Sequence, residues 1–533
     1  MRSRAKLAGL ALVAASSLLV AACGGGGATD TEGSGSGKPQ RGGSLTVLEG
    51  AGYAGAWPTG LDPATNTTGG ANQSQMNAIF GRLFKLGEGG KIVPSLASGY
   101  DISEDGKTAK IEIRPGVEFQ DGTPFDAETV AWHFQRVVDS PCNCSPSRYW
   151  RLEKKNGITT EGDDTVVLHF TVPSGAVISQ LLSSNANWVA SRTALEKMGE
   201  KKFKITPVGA GPFKVVSNKL SSELALERNP TYYEKGKPYL DRLIFKTIGS
   251  EQAAYQALQA GQGQAYEGMN ITPLIEQARK NPQLTVTQQP ATSPYVIQLN
   301  TKVAPFDDKR AREAIYYATD TNAIREGLFN NWYPVSQSFT APGGKFHHAS
   351  VPGYRTYDLE KAKALVQELG GLEVTLGTLD AYVANQVNEA LQSQWEKAGI
   401  KTTIRSWQLA TLIKEFDSGK WQSMLQTAGA WDPAAGVSVD FRFASTSPYT
   451  GVWDPKLDKL LLDAAATVDE SERDRLYTEA AKYISDQAYA PFMFAFAPQN
   501  VAVKGVQGPG LTTPISSLLV GPAIWWEDVW RSE

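Results

Sequence analysis

The sequence is poor in the residues that most metal and acid–base chemistry draws on: its 533 residues include four histidines and three cysteines. His133, His169, His347 and His348 do not fall at the spacing of a metal site. His169 alternates with Val167 in a strand-like run and reads as a satisfied, partly buried imidazole, while the His347 and His348 pair follows APGGKF in a loop and reads as solvated. GxSxG, HExxH, the dinucleotide-binding glycine fingerprint and the phosphate-binding loop are all missing. The nearest approach to the last, Asp105 to Thr108, has Asp101 where the first glycine belongs. No catalytic residue, metal or cofactor is therefore expected. An excess of positive charge is lacking as well. The formal net charge is −3, which gives no support to a nucleic-acid partner. What remains is an ordinary globular composition, 41% hydrophobic and 20% charged, in a chain long enough for several domain-sized cores.

The three cysteines are informative by position. A basic start (Arg2, Arg4, Lys6) precedes an uncharged stretch from Leu7 to Ala22, shorter than the ~20 residues a spanning helix takes. It reads as an export signal over 1–22. Its end, VAAC at Val20 to Cys23, resembles a bacterial lipobox, which implies cleavage and lipid attachment at Cys23. The Gly- and Ser-rich run 23–42 behaves as a flexible coil about 25 Å from end to end, a leash between membrane and body. The expected place is extracytoplasmic, lipid-anchored to the outer face of the cell membrane or periplasmic. Cys142 and Cys144, in the loop-like SPCNCSPS, could form a tight disulfide in an oxidising exterior; a zinc site would need two further ligands nearby.

Along the body, strand and helix patterns alternate. The clearest unit is a strand at Leu372 to Leu379, a helix at about Val383 to Ala398 and a strand at Ile400 to Trp407, a βαβ pattern. Its helix has Val387, Ala390, Leu391, Trp395 and Ala398 inward and stops at Gly399. Further helices are expected to open at Asp307, Asp358 and Asp454. Strands are expected at Lys110 to Ile113 and Thr165 to Phe170. The architecture is mixed α/β with more than one lobe.

The run DISEDGKTAKIEIRPGVEFQDGTPFDAETVAWHFQRVVDS, Asp101 to Ser140, contains a hairpin turn at Asp105 and Gly106 and leads into a helix near Ala127. It resembles the hallmark segment of the extracytoplasmic solute-binding proteins of the peptide/nickel/opine family, which serve ABC importers. The resemblance continues in family order through VGAGPFKV (Val208 to Val215), ERNPTYYEKGKPYLD (Glu227 to Asp241) and LNTKVAPFDDKRAREAIYYATD (Leu299 to Asp320). It ends with YDLEKAKALVQELG (Tyr357 to Gly370) and WDPKLDKLLLDAA (Trp453 to Ala465). It implies a two-lobed α/β fold of the periplasmic-binding-protein type, with a subdomain inserted in the first lobe and ligand held between the lobes. The first lobe would comprise 43–84, 206–289 and 497–533, the inserted subdomain 85–205, and the second lobe 290–496. Crossings between lobes would lie near Tyr295 to Asn300 and Pro491 to Phe496.

The implied function is capture and delivery without bond-making chemistry. Partners would be a peptide or similar small solute and the permease subunits of the importer, with the receptor itself a monomer and no nucleic acid involved. Peptide-binding relatives hold the ligand's amino terminus with a carboxylate in a second-lobe loop. In QTAGAWDPAAG (Gln426 to Gly436) the matching position is Gly429, so that anchor is absent and Asp432 is the candidate substitute. Aromatic candidates for ligand contact are Tyr266, Tyr295, Trp407 and Trp431, because such faces supply contact area without demanding a fixed charge. The same surfaces suit an oligosaccharide. A nickel or metal-chelate receptor is disfavoured by the scarcity of histidine, and a surface-anchored hydrolase has no motif behind it.

Overall fold

The computed structural model describes residues 38–50, 60–66, 72–140, 150–427, 431–436, 443–445, 447, 449–497, 499–515 and 523–532. The signal segment, Cys23 and the run up to residue 37, and the positions Cys142, Cys144 and Gly429, lie outside the described residues.

Three sheets carry the architecture. In spatial order the first contains Leu284–Gln288, Gln499–Val503, Ala265–Met269, Ser44–Gly50, Arg242–Ile248, Glu223–Arg228 and Phe213–Lys219. Ser44–Gly50 runs parallel to the strands on both its sides, and the helix Glu251–Gln259 makes the crossover between those two neighbours. Alternation along Ser44–Gly50 decides what each face meets. Leu45 and Val47 pack toward the helix Gln73–Phe80, whereas Leu48 packs toward Glu251–Gln259 and Thr272–Lys280.

The second sheet, the core of the other lobe, is ordered Ile400–Trp407, Leu372–Leu379, Ser423–Thr427, Pro294–Leu299 and Phe492–Ala495. The βαβ unit expected from the sequence is present: Leu372–Leu379 pairs in parallel with Ile400–Trp407, residue for residue. Its connecting helix is Tyr382–Lys397. Val387, Leu391, Trp395 and Ala398 are buried as the periodicity requires, and Gly399 takes φ +85° beyond the helix end. Ala390 is only half-buried, while Asn388 occupies a fully buried place on that helix.

The third sheet is antiparallel, with order Ala97–Ile102, Thr108–Ile113, Thr165–His169 and Ile158–Glu161. Its hairpin turns at Asp105 and Gly106. The Asp105 carboxylate accepts from Lys107 N at 3.0 Å, and Gly106 adopts φ +66°. Asp126 caps the following helix, Ala127–Val138, by accepting from Thr129 N at 2.9 Å.

Two local expectations need correction. The helix Lys309–Ala318 is capped by Asp308, not Asp307: Asp308 accepts from Arg310 N at 2.8 Å and is gripped by the Arg310 guanidinium. The lobe crossings also fall beside the expected runs. Pro294–Leu299 and Phe492–Ala495 are ladder strands inside the second sheet, so the chain crosses between Gln288 and Pro294 and between Ala495 and Gln499. Those apolar runs are buried along their whole length, which suits sheet interior better than a connector. Among the described residues, no helix is long and apolar enough to cross a membrane.

Candidate functional site

The lobes meet along a seam whose second-lobe side is the loop Trp431 to Gly436. Asp432 organises that loop. Its Oδ1 accepts from Ala434 N at 2.9 Å at the start of the short helix Pro433–Gly436, and both carboxylate oxygens accept from Arg473 Nη2 at 2.8 Å. Both side chains are almost completely buried. Such a pair holds a loop in place but has little left to offer a ligand, so Asp432 serves as an anchor within its own lobe.

Anchored there, Trp431 points out of its lobe. It joins the buried cluster that Phe84, Phe134 and the third sheet build in the inserted subdomain. A Cβ added at Gly90 would stand 2.9 Å from the indole nitrogen. Lys345 N donates to the Trp431 carbonyl at 2.7 Å, and the ammonium lies 5.5 Å from the ring centre. Next to it, backbone bonds join the two sides directly: Gly175 N donates to Ala466 O at 3.0 Å, and Ala176 N to Ala465 O at 3.1 Å. Ala176, Ala434 and Ala465 pack together beneath these bonds. Gly175 is required by space, because any Cβ would run into the Thr467 carbonyl. The two sides of the seam are therefore in direct contact, with small residues at the closest approach.

The other aromatic candidates are not brought together with Trp431. Tyr266 is buried behind the first sheet among Leu48, Tyr255, Leu274 and Ile275, its hydroxyl under Gly50. Tyr295 belongs to a ring cluster with Phe494 and Phe496, at 5.4 and 5.8 Å between centroids. Trp407 lies half-buried over Gly377 and shares a cluster with Phe416, Trp421 and Met424. These three rings pack inside their lobes. His169 and His348 each meet a single side chain, at 3.0 Å from Thr159 Oγ1 and 2.8 Å from Asp474 Oδ1 respectively. No group of three His, Cys, Asp or Glu capable of holding a metal occurs among the described residues.

A second feature lies at the carboxyl end of the central parallel strands of the first lobe, and sequence reasoning missed it. Glu49 and Glu267 are direct neighbours in parallel register, on strands ~4.8 Å apart, and both are buried. Gln75 Nε2 donates to both oxygens of Glu49 at 2.7 Å, and Trp526 Nε1 donates to Glu267 at 2.9 Å. Ser74 also donates to Glu267. Every one of these donors is neutral. Burial, reinforced by the Glu267 charge, holds the Glu49 carboxyl well above the usual range, and burial pushes Glu267 up to about 7. The signal was available in the alternation: Glu49 follows Leu45 and Val47 on the otherwise apolar face of its strand, and Glu267 follows Ala265.

The model of the bacterial extracellular solute-binding proteins, family 5 (middle region), matches residues 91–449. The chain belongs to that family. Proteins of similar sequence include the "Probable di/tripeptide-binding protein 5" of Pseudomonas aeruginosa, 27% identical over 491 residues, covering 85% of this chain and 91% of the relative. The heme-binding protein A of Haemophilus influenzae is also 27% identical, over 496 residues, covering 85% and 88%. Among solved structures, the ABC transporter-associated periplasmic binding protein DppA from Helicobacter pylori, in complex with the peptide STSA, superposes with a TM-score of 0.77 at 22% identity. It covers 93% of this chain and 99% of its own. The family 5 fold, two α/β lobes and an inserted subdomain, is thus shared. Family 5 proteins are extracytoplasmic solute-binding proteins.

Proposed function

We propose that this protein is the receptor of an ABC importer, tethered through lipid on Cys23, and that it captures a peptide or similar small zwitterionic solute by closure of its two lobes. The carrying observation is the seam itself: Trp431 from one lobe seated in the subdomain of the other, beside backbone bonds from Gly175 and Ala176. A solute enclosed by such a seam stabilises the closed form only if it touches both sides, and closure is then the signal that a permease can read. Trp431 is the aromatic wall of the enclosure, and Asp432 with Arg473 is its support. The relatives named for di- and tripeptides support a peptide over a sugar.

Native mass spectrometry of the purified protein, followed by thermal unfolding with a panel of di- and tripeptides, tests this reading. A binding peptide at about 100 times its dissociation constant adds roughly 2.7 kcal/mol of stability. A panel without any stabilising member, combined with a co-purified non-peptide solute, would overturn it. Acyl mass on Cys23 at the mature N-terminus tests the tether.

A further inference from the structure

The buried carboxylate pair of the first lobe is hard to explain as architecture. Two like charges on adjacent strands oppose each other, burial disfavours both ionised forms, and neither carboxylate has an ion-pair partner among the described residues. The charged groups on the elements packed around it are committed elsewhere. Glu527, beside Trp526, is matched by Lys85 at 2.7 Å. Arg82, beyond the end of the helix Gln73–Phe80, donates to Asn77 at 2.6 Å, to Gln73 at 2.9 Å and to the Leu182 carbonyl at 3.0 Å.

A separate observation points to a missing donor. The Gln75 amide is 1% exposed and lies against Glu49 through its nitrogen, yet its Oε1 has no hydrogen-bond partner. A buried acceptor left open costs stability unless something fills it. Glu49 and Glu267 therefore meet at the carboxyl ends of parallel strands, the edge where ligands of open α/β sheets bind, and the unpartnered Gln75 oxygen belongs to the amide whose nitrogen contacts Glu49. An ammonium group presents three N–H donors and one positive charge. A calcium ion would need six or more oxygens, more than these three groups supply without water.

We propose that Glu49, Glu267 and Gln75 form a subsite of the first lobe for a protonated amine, and that the amine is the amino group of the solute captured between the lobes. This rests on the reading of the protein as a receptor for small zwitterionic solutes. On binding, the amine takes the place of the proton that the pair retains near neutrality, and one proton leaves to solvent.

Calorimetric titration of the full-length protein with unblocked dipeptides and their N-acetylated counterparts tests the subsite. It is run at pH 6.5 in two buffers of different ionisation enthalpy. The expected result is at least about tenfold tighter binding of the unblocked form, with release of about one proton per peptide bound. Glu49→Gln and Glu267→Gln should each lose that preference and that proton release, while retaining a cooperative unfolding transition. Equal binding of blocked and unblocked peptides, or unchanged preference in both variants, would overturn the subsite and leave the peptide reading intact. Failure of every peptide to bind would overturn both. Heat from CaCl2 alone that disappears in both variants would assign the pair to a metal ion and overturn the amine.

Discussion

Each lobe buries a carboxylate at the edge of its central sheet or the loop beyond it, and the two are treated in opposite ways. Asp432 in the second lobe is matched by the Arg473 guanidinium at 2.8 Å on both oxygens. Glu49 and Glu267 in the first lobe face each other with neutral donors only. The matched charge is architecture: it fixes a loop so that Trp431 can reach across the seam. The unmatched pair is a standing electrostatic cost, and groups held at such cost concentrate where ligands bind.

The sharpest way to break the comparison is to delete one charge from each site. Arg473→Met leaves Asp432 buried without its cation and should cost about 3–5 kcal/mol in denaturant unfolding. Glu267→Gln relieves like-charge repulsion and should leave stability at pH 8 unchanged or raised. If both substitutions destabilise alike, the two sites are not different in kind.

The pH dependence sharpens it next. With Glu267 at about 7 in the folded protein against 4.5 ordinarily, the folded state holds more protons than the unfolded one between those values. Its contribution is therefore fully present below pH about 4.5 and lost as pH rises through about 7, a change on the order of 3 kcal/mol. Unfolding free energies measured across pH 4.5 to 8 should show this decline in the wild type and a flatter profile in Glu267→Gln. A bound amine should restore the loss at the upper end.

The smallest effect concerns the seam. Gly175→Ala adds one methyl against the Thr467 carbonyl. It should weaken peptide binding by about tenfold, ~1.4 kcal/mol, with the ligand-free unfolding midpoint unchanged, since neither lobe's own core is touched.

Much of this was legible in the chain. The βαβ unit was readable because Val387, Leu391 and Trp395 repeat at helical spacing between two apolar runs bounded by Gly399. The lobes were readable through family resemblance. The aromatic site was not, because Tyr266, Tyr295 and Trp407 fill cores as readily as they line sites, and local sequence does not say which face of a sheet is covered by helices. The role of Asp432 depended on Arg473, 41 positions away in the chain and adjacent only after folding. Glu49 and Glu267 needed the register of two strands far apart in sequence before they could be seen as a pair.

Closure across the Trp431 and Gly175 seam is the event on which capture depends. Small-angle scattering of the wild type and of Gly175→Ala, each with and without a stabilising dipeptide, measures it. The wild type should become measurably more compact on adding the peptide, and the variant should keep its peptide-free dimensions at the same concentration. A wild-type profile that does not change on saturation, or a variant that compacts equally, would contradict it.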